Sequence, residues 1–246
     1  MAPGPLAQVL RQLPTAEDPN LLTAGIHFAD AGVYRIAERP FSISEYNTPA
    51  PNDHGAELFP LFTAVAGLQD WDAFYSYTYR DFGKDYENTF IRKYFHLIGR
   101  ANVLVHAPAC SLAFRSGLIA PSAEGAECRI PVDQVPELTL QTGAVGDVWQ
   151  KLGGDPATIW QRKTTVALSE TETEATLRGD AMTPHGIRTS DTGQIRWQPT
   201  DPDGAWFSLN APAVRFLIGD HAHLVQLHGR RQRDAEADRN HAVLIH

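Results

Sequence analysis

The first part of the chain alternates between apolar segments of helical and of strand-like spacing. Arg39-Pro40 ends one predicted helix, because the residue before proline disfavours the helical conformation. Proline at position 60 fits the first turn of the next helix. The order of predicted elements is typical of a parallel α/β sheet. In chain order they are helices at 5–13 and 20–38, a strand at 41–45, a helix at 56–69 beginning near Leu58, a strand at 73–79 and a helix at 100–115.

Beyond residue 122 the pattern changes to short apolar runs separated by turn-forming residues. Gly153-Gly154 interrupts one predicted helix. The end of the chain mixes positive and negative charges with few apolar residues, which predicts a solvated and partly mobile tail. The predicted fold class is α/β plus all-β, with domains at 1–122 and 123–228 and a charged tail at 229–246. The later elements are strands around Val132, Val135 and Leu138, at 164–168, 175–177, 187–197 and 206–218, and a helix at 143–162.

Composition and charge narrow the classes of function. The 246 residues carry a formal net charge of −8, which argues against nucleic acid and against an anionic membrane as partner. No apolar run approaches the ~20 residues that a membrane helix requires, and MAPGPLAQVL lacks the features of a signal peptide. Cys110 and Cys128 form no metal or disulfide motif, so we expect a cytoplasmic protein in a reducing compartment.

The clearest chemical candidate lies in the stretch FSISEYNTPAPND, where a predicted strand ends in Glu45, Tyr46 and Asn47. Catalytic residues of α/β proteins collect at such carboxyl ends of strands. Asp81 follows Arg80 after the next predicted strand, so we expect it on the same edge as Glu45. The alternative to a catalytic role for Glu45 is that it is a carboxylate without a catalytic partner. The alternative for Asp81 is that it is a solvated loop residue.

Aromatic side chains alternate along this second strand and suggest a binding surface. Sugar rings and acyl chains both pack on such surfaces, while alternate residues of a strand more often belong to the core. No metal motif is complete, although Asp201 and Asp203 in TDPDG allow a weak calcium site. Calcium is therefore the one cofactor that the sequence suggests. The aromatic residues are Tyr46, Tyr75, Tyr77, Tyr79 and Trp71.

Two segments together resemble a known family. RPFSISEYNTPAPN, followed by AELFPLFTAVAGLQDWDAFYSYTYRD, resembles the end of the barrel in clan A retaining glycoside hydrolases, where a nucleophilic glutamate ends the seventh strand. HAPACSLAFRSGLIAP resembles the helix after strand eight, and TSDTGQIRWQ with AWFSLNAPAVRFLIG resembles the β-sandwich that often follows. The resemblance implies a partial (β/α) barrel segment packed on a β-sandwich-like domain, with Glu45 as nucleophile.

The chain departs from this family in one respect that bears on its chemistry. The family's acid/base glutamate follows an asparagine on an earlier strand, and this chain contains no Asn-Glu dipeptide. A retaining mechanism requires two carboxylates about 5 Å apart, and Asp81 is the substitute that we name. The open edges of two barrel strands predict a homo-oligomer, with Phe59, Phe62 and Val65 near the contact.

Three functions therefore remain open. The first is a glycoside hydrolase-like enzyme with Glu45 as nucleophile or general base, acting on a small-molecule or carbohydrate substrate. The second is a small ester or lactone hydrolase, in which Glu45 activates water and Arg80, a tyrosine or calcium stabilises the oxyanion. The third is a non-catalytic carbohydrate-binding or interaction module. Tyr46, Asn47, Tyr77, Tyr79 and Arg80 are the predicted substrate-binding residues in the enzyme hypotheses.

Overall fold

The computed structural model of the chain is a mixed α/β structure with helices and three β-sheets. No closed barrel forms among the described residues. Of the predicted elements, the helix at 5–13 and most of the helix at 20–38 lie outside them. The structure describes residues 34–52, 54–80, 90–91, 93–142, 145–179, 186–199, 205–219 and 242–245.

A parallel β–α–β unit forms the part of the fold that contains Glu45. Strand β1 (Ser42–Tyr46) pairs in parallel with β2 (Ala73–Ser76), and helix α1 (Leu58–Leu68) connects them after a 3₁₀ turn at Gly55–Glu57. The predicted order of strand, helix and strand is confirmed, including a helix that begins at Leu58. Strand β2 is shorter than predicted.

Two other predicted helices of this part differ from the structure. Helices α2 (Ala101–Leu104) and α3 (Ala107–Arg115) replace one predicted helix at 100–115. Pro108 stands at the start of α3, where a missing N–H group is tolerated, and its ring prevents a continuous helix. Residues 34–38 were predicted as the end of a helix, but Ile36 instead forms a parallel bridge to Val166.

A second sheet joins three strands in the order β4–β3–β5. Strand β3 (Ala126–Pro131) is parallel to β4 (Thr164–Ser169) and antiparallel to β5 (Thr176–Arg178). Its crossover contains a 3₁₀ turn at Val132–Gln134, helices α4 (Val135–Thr142) and α5 (Val145–Lys151), and a 3₁₀ turn at Pro156–Trp160. The two helices cover one face through Val148, Trp149, Val135 and Leu138.

The strand predicted around Val132, Val135 and Leu138 is therefore wrong, and residues 123–228 are not all-β. These three apolar residues are spaced three apart, which is a helical period rather than the alternation of a strand. The strand itself comes just before them, at Ala126–Pro131. The helix predicted at 143–162 is confirmed in part, because a turn at 152–155 separates α5 from the 3₁₀ segment.

The third sheet is antiparallel and contains five strands in the order β10–β9–β8–β7–β6. Its edge strand β10 pairs with β9 through four residue pairs, from Ala242↔Gly219 to Ile245↔Phe216. The stretch at 242–245, which was predicted to belong to a partly mobile tail, therefore forms a strand at the edge of this sheet. The strands are β6 (Arg188–Thr189), β7 (Ile195–Gln198), β8 (Trp206–Asn210), β9 (Arg215–Gly219) and β10 (Ala242–Ile245).

One hydrophobic core joins α1 to the antiparallel sheet. Nearly all of α1 is buried, and Trp160 stacks on Trp197 with ring centroids 4.7 Å apart beneath it. Phe62 and Val65 therefore cannot serve as the exposed oligomer contact that the sequence predicted, and Phe59 is only half-exposed. The antiparallel sheet and α3 cover the apolar face that would otherwise need a partner. Core residues include Leu61, Phe62, Val65, Cys110, Trp160, Ile195, Trp197, Phe207 and Phe216.

A buried glutamine at the end of α1 hydrogen-bonds to the segment that leads into the second sheet. The Gln69 amide is fully buried and donates to the backbone carbonyls of Ile159, at 2.7 Å, and Arg162. Its oxygen accepts from the backbone N–H of Thr164 at 2.8 Å and from the Thr164 hydroxyl at 3.2 Å. All these partners belong to the segment that leads into β4, so Gln69 fixes that segment at the end of α1.

Candidate functional site

The geometry of Glu45 follows from an irregularity in strand β1. Ser42 and Ile43 pair with Ala73 and Phe74, but Tyr46 pairs with Ser76, so β1 contains one more residue than β2 over this stretch. Such a bulge breaks the alternation of side chains. Ser44 and Glu45 are consequently both exposed, whereas Tyr46 turns back toward α1. The carboxylate that the sequence placed on a buried strand therefore faces solvent.

Tyr46 belongs to the core rather than to an exposed binding surface. Its ring stacks on Phe62 with centroids 4.3 Å apart, and it packs against the buried cluster of Leu58, Leu97 and Val103. Burial, together with the nearby Glu57 carboxylate, raises the pKa of the Tyr46 phenol. Tyr46 was predicted to bind substrate, and the structure places it beneath the strand end where it supports Glu45.

Asn47 connects three backbone segments at the carboxyl ends of the strands. Its amide nitrogen donates to the carbonyl of Tyr77 and, at 2.6 Å, to that of Phe95. Its oxygen accepts a hydrogen bond of 3.2 Å from the Arg100 guanidinium. The side chain predicted to contact substrate thus has both amide hydrogens and its oxygen engaged within the protein, and it positions the strand ends.

Arg100 is a buried cation that sequence reasoning missed. It is 4% exposed and donates to the carbonyl of Thr48 at 2.6 Å and to the Thr48 hydroxyl at 3.2 Å, in addition to Asn47. Burial lowers the pKa of its guanidinium. Gly55 leaves room for this guanidinium, because a Cβ atom at position 55 would force the end of the Arg100 side chain to shift. The sequence signal was an arginine within the apolar stretch LIGRANVL.

A second ionisable group that sequence reasoning missed lies in the same region. Glu57 is fully buried at the start of α1, and its carboxylate lies 3.9 Å from the Nδ1 atom of His54. His96 is buried as well, close in sequence to the strand-end segment that Asn47 holds. Several polar and ionisable groups therefore lie beneath the strand ends, in positions that support the exposed residues.

Three of the aromatic side chains that were predicted to form a binding surface are exposed. Tyr75, Tyr77 and Tyr79 are 61%, 39% and 55% exposed, whereas Trp71 is buried in the core. Tyr75 follows Phe74, the partner of Ile43, and precedes Ser76, the partner of Tyr46. Ser44 and Glu45 therefore lie across from Tyr75, at the ~4.8 Å separation of neighbouring strands.

Arg80 is half-buried at the end of this aromatic segment. The preceding residue is held in place, because the N–H of Ile98 donates to the carbonyl of Tyr79 at 3.1 Å. Asp81, Asp201 and Asp203 lie outside the described residues, so the second carboxylate and the calcium site stay predictions. Among the residues that are described, no group of three or more His, Cys, Asp or Glu side chains has a metal-binding arrangement.

Cys110 and Cys128 are free thiols, and both are buried. No helix within the described ranges is both long enough and apolar enough to cross a bilayer. Comparison of the chain with protein-family models, with curated proteins and with solved structures found no match. The function of the chain is therefore inferred from the geometry around Glu45.

Proposed function

We propose that this chain is a glycoside hydrolase-like enzyme in which Glu45 is the nucleophile or general base. In this proposal residues 1–122 form a partial (β/α) barrel segment that packs on a β-sandwich-like domain, of which the antiparallel sheet β6–β10 is the all-β part. The observation that carries the proposal is the position of Glu45. It is exposed at the carboxyl end of a parallel strand, across from Tyr75. A carboxylate in this position can reach a bound substrate, and the neighbouring ring offers a face on which a sugar can pack.

The residues around Glu45 have two different roles. Tyr46, Asn47 and Arg100 lie within the protein and hold the strand ends, while Glu45, Tyr75 and Tyr77 face outward. A rigid support of this kind favours catalysis, because the reacting group must be held in one geometry. Glycoside cleavage also requires a proton donor for the leaving oxygen, and we assign this role to Asp81.

The test compares Glu45→Gln with the wild-type chain on aryl glycosides, aryl esters and lactones. Glutamine retains the size of the side chain and removes the base, so we expect glycoside hydrolysis to fall about 100-fold or more. Glu174→Gln is the matched control, because Glu174 is an exposed carboxylate far along the chain, between β4 and β5, and should leave the rate unchanged. Circular dichroism would verify that both variants fold.

The pattern of substrates distinguishes the three functions. Glycoside cleavage that depends on Glu45 supports the proposal, and a fully active Glu45→Gln protein would refute it. Turnover of esters or lactones alone would favour the water-activating alternative, in which loss of activity with a chelator and recovery with calcium would identify a metal. Carbohydrate binding without turnover of any substrate would favour a non-catalytic binding module.

A further inference from the structure

A buried carboxylate and a partly exposed histidine lie between the end of β1 and the start of α1. The Glu57 side chain is 0% exposed, and its Oε1 atom lies 3.9 Å from the Nδ1 atom of His54. This distance is too long for a hydrogen bond, so the attraction is that of an ion pair and requires a protonated imidazole. The His54 side chain is 26% exposed, with Nδ1 on its buried side. His54 can therefore exchange a proton with solvent, whereas the Glu57 carboxylate is enclosed.

The groups around Glu57 determine which of its surroundings can respond to pH. Helices α1 and α2 and strand β10 lie beside the 3₁₀ turn at 55–57, and none of these three elements contains an ionisable residue. Burial, and then the Glu57 carboxylate, raise the pKa of the Tyr46 phenol, which therefore stays neutral. The Arg100 guanidinium lies against the turn and keeps its charge. Among these groups, His54 is the one that changes its charge between about pH 5 and pH 8.

Local hydrogen bonds order the loop that contains this pair. The side-chain oxygen of Asn52 accepts from the backbone N–H of His54 at 2.8 Å, and the Asn52 carbonyl accepts from the N–H of Gly55 at 3.3 Å. The N–H of Glu57 donates to the His54 carbonyl at 3.0 Å. A buried charge that loses its counter-charge destabilises its surroundings. Because loops open more easily than the core of a protein, loss of the positive charge on His54 weakens this loop first.

We propose that the His54–Glu57 pair is a pH-sensitive contact that holds the loop after Glu45 in place. In mildly acidic solution His54 is protonated, and its charge offsets that of the enclosed carboxylate. As the pH rises through the range in which histidine titrates, the imidazole becomes neutral and this stabilisation is lost. The loop continues directly from Asn47, so the same change loosens the end of the strand that carries Glu45. The inference does not depend on a catalytic role of Glu45.

The experiment compares hydrogen exchange of the Gly55 and Glu57 backbone amides at about pH 5.5 and about pH 8. Each rate is corrected for the intrinsic exchange rate at that pH. In the wild-type chain, we expect protection to be about tenfold or more lower at the higher pH. His54→Gln should have the lower protection at both pH values, whereas Glu57→Gln, a neutral side chain of the same size, should remove the difference. The proton affinity of the His54 ring, followed by NMR, should fall about tenfold in Glu57→Gln.

His106→Gln is the matched control, because His106 lies between α2 and α3, outside this loop. This variant should keep the pH response of the wild-type chain, and the amides of Phe207 and Ile218 in the antiparallel sheet should be equally protected at both pH values. Equal protection of the loop at both pH values, or an unchanged proton affinity of His54 in Glu57→Gln, would overturn the inference. If Glu57→Gln does not fold, His54→Gln decides the matter, since a pH response equal to that of the wild-type chain would also overturn it.

Discussion

Replacing Gln69 by leucine should destabilise the whole protein, because this one amide joins two parts of the fold. Leucine has nearly the same volume but leaves the carbonyls of Ile159 and Arg162 and the N–H of Thr164 without the partner they have in the native protein. A buried polar group that loses its partner costs about 1–3 kcal/mol. These losses occur at one site, and some relaxation is expected. We therefore predict that the free energy of unfolding decreases by about 3–5 kcal/mol in total.

This loss can be measured by urea denaturation of the two proteins, followed by tryptophan fluorescence. Gln134→Leu is the control, because Gln134 makes one hydrogen bond of 2.7 Å to the carbonyl of Thr173 in an exposed setting. Gln134→Leu should lower the free energy of unfolding by less than about 1 kcal/mol. If Gln69→Leu lowers the free energy of unfolding by less than about 1 kcal/mol, water replaces the amide. Gln69 would then not be the residue that connects α1 to the segment before β4.

Two further predictions concern the thiols and the assembly. Burial raises the pKa of Cys110 to about 12 and that of Cys128 to about 11, and the nearby Glu127 adds to the latter. Since only the thiolate reacts, both should stay unreactive toward Ellman's reagent at pH 8 in the native protein and react once urea unfolds it. Rapid reaction of either thiol in the native protein would contradict the core described above. Within the described part of the chain, β1 and β2 form a two-stranded sheet with no further strand beside either of them. We therefore also predict a dimer or larger species through the outer edges of these strands, and light scattering that gives a monomer at micromolar concentration would refute it.

The β–α–β unit could be predicted from the sequence because its signals are local. Pro40 and Pro60 delimit the helices, and the aromatic run at 73–79 has the composition of a strand. The bulge in β1 has no such signal, since it depends on how Tyr46 packs against Phe62. The exposure of Glu45 therefore could not be deduced from the alternation of residues.

The supporting residues of the site show a second limit of sequence reasoning. Asn47 and Arg100 are 53 positions apart along the chain, and only the folded structure shows that they meet. The chemical character of Asn47 suggested a ligand contact, although hydrogen bonds within the protein occupy it. Conversely, Val132, Val135 and Leu138 carried a helical period that the surrounding strand-like context obscured.

The burial of α1 has a consequence for synthesis of the protein on the ribosome. Helix α1 is almost entirely apolar, yet the strands that cover it, β7 to β9, are translated much later. For most of translation its side chains lack their final neighbours, and such exposed apolar segments favour aggregation. We therefore expect the yield of folded protein to depend on translation rate and on chaperones that bind apolar segments, and folding to be slow because its core contacts are distant in sequence.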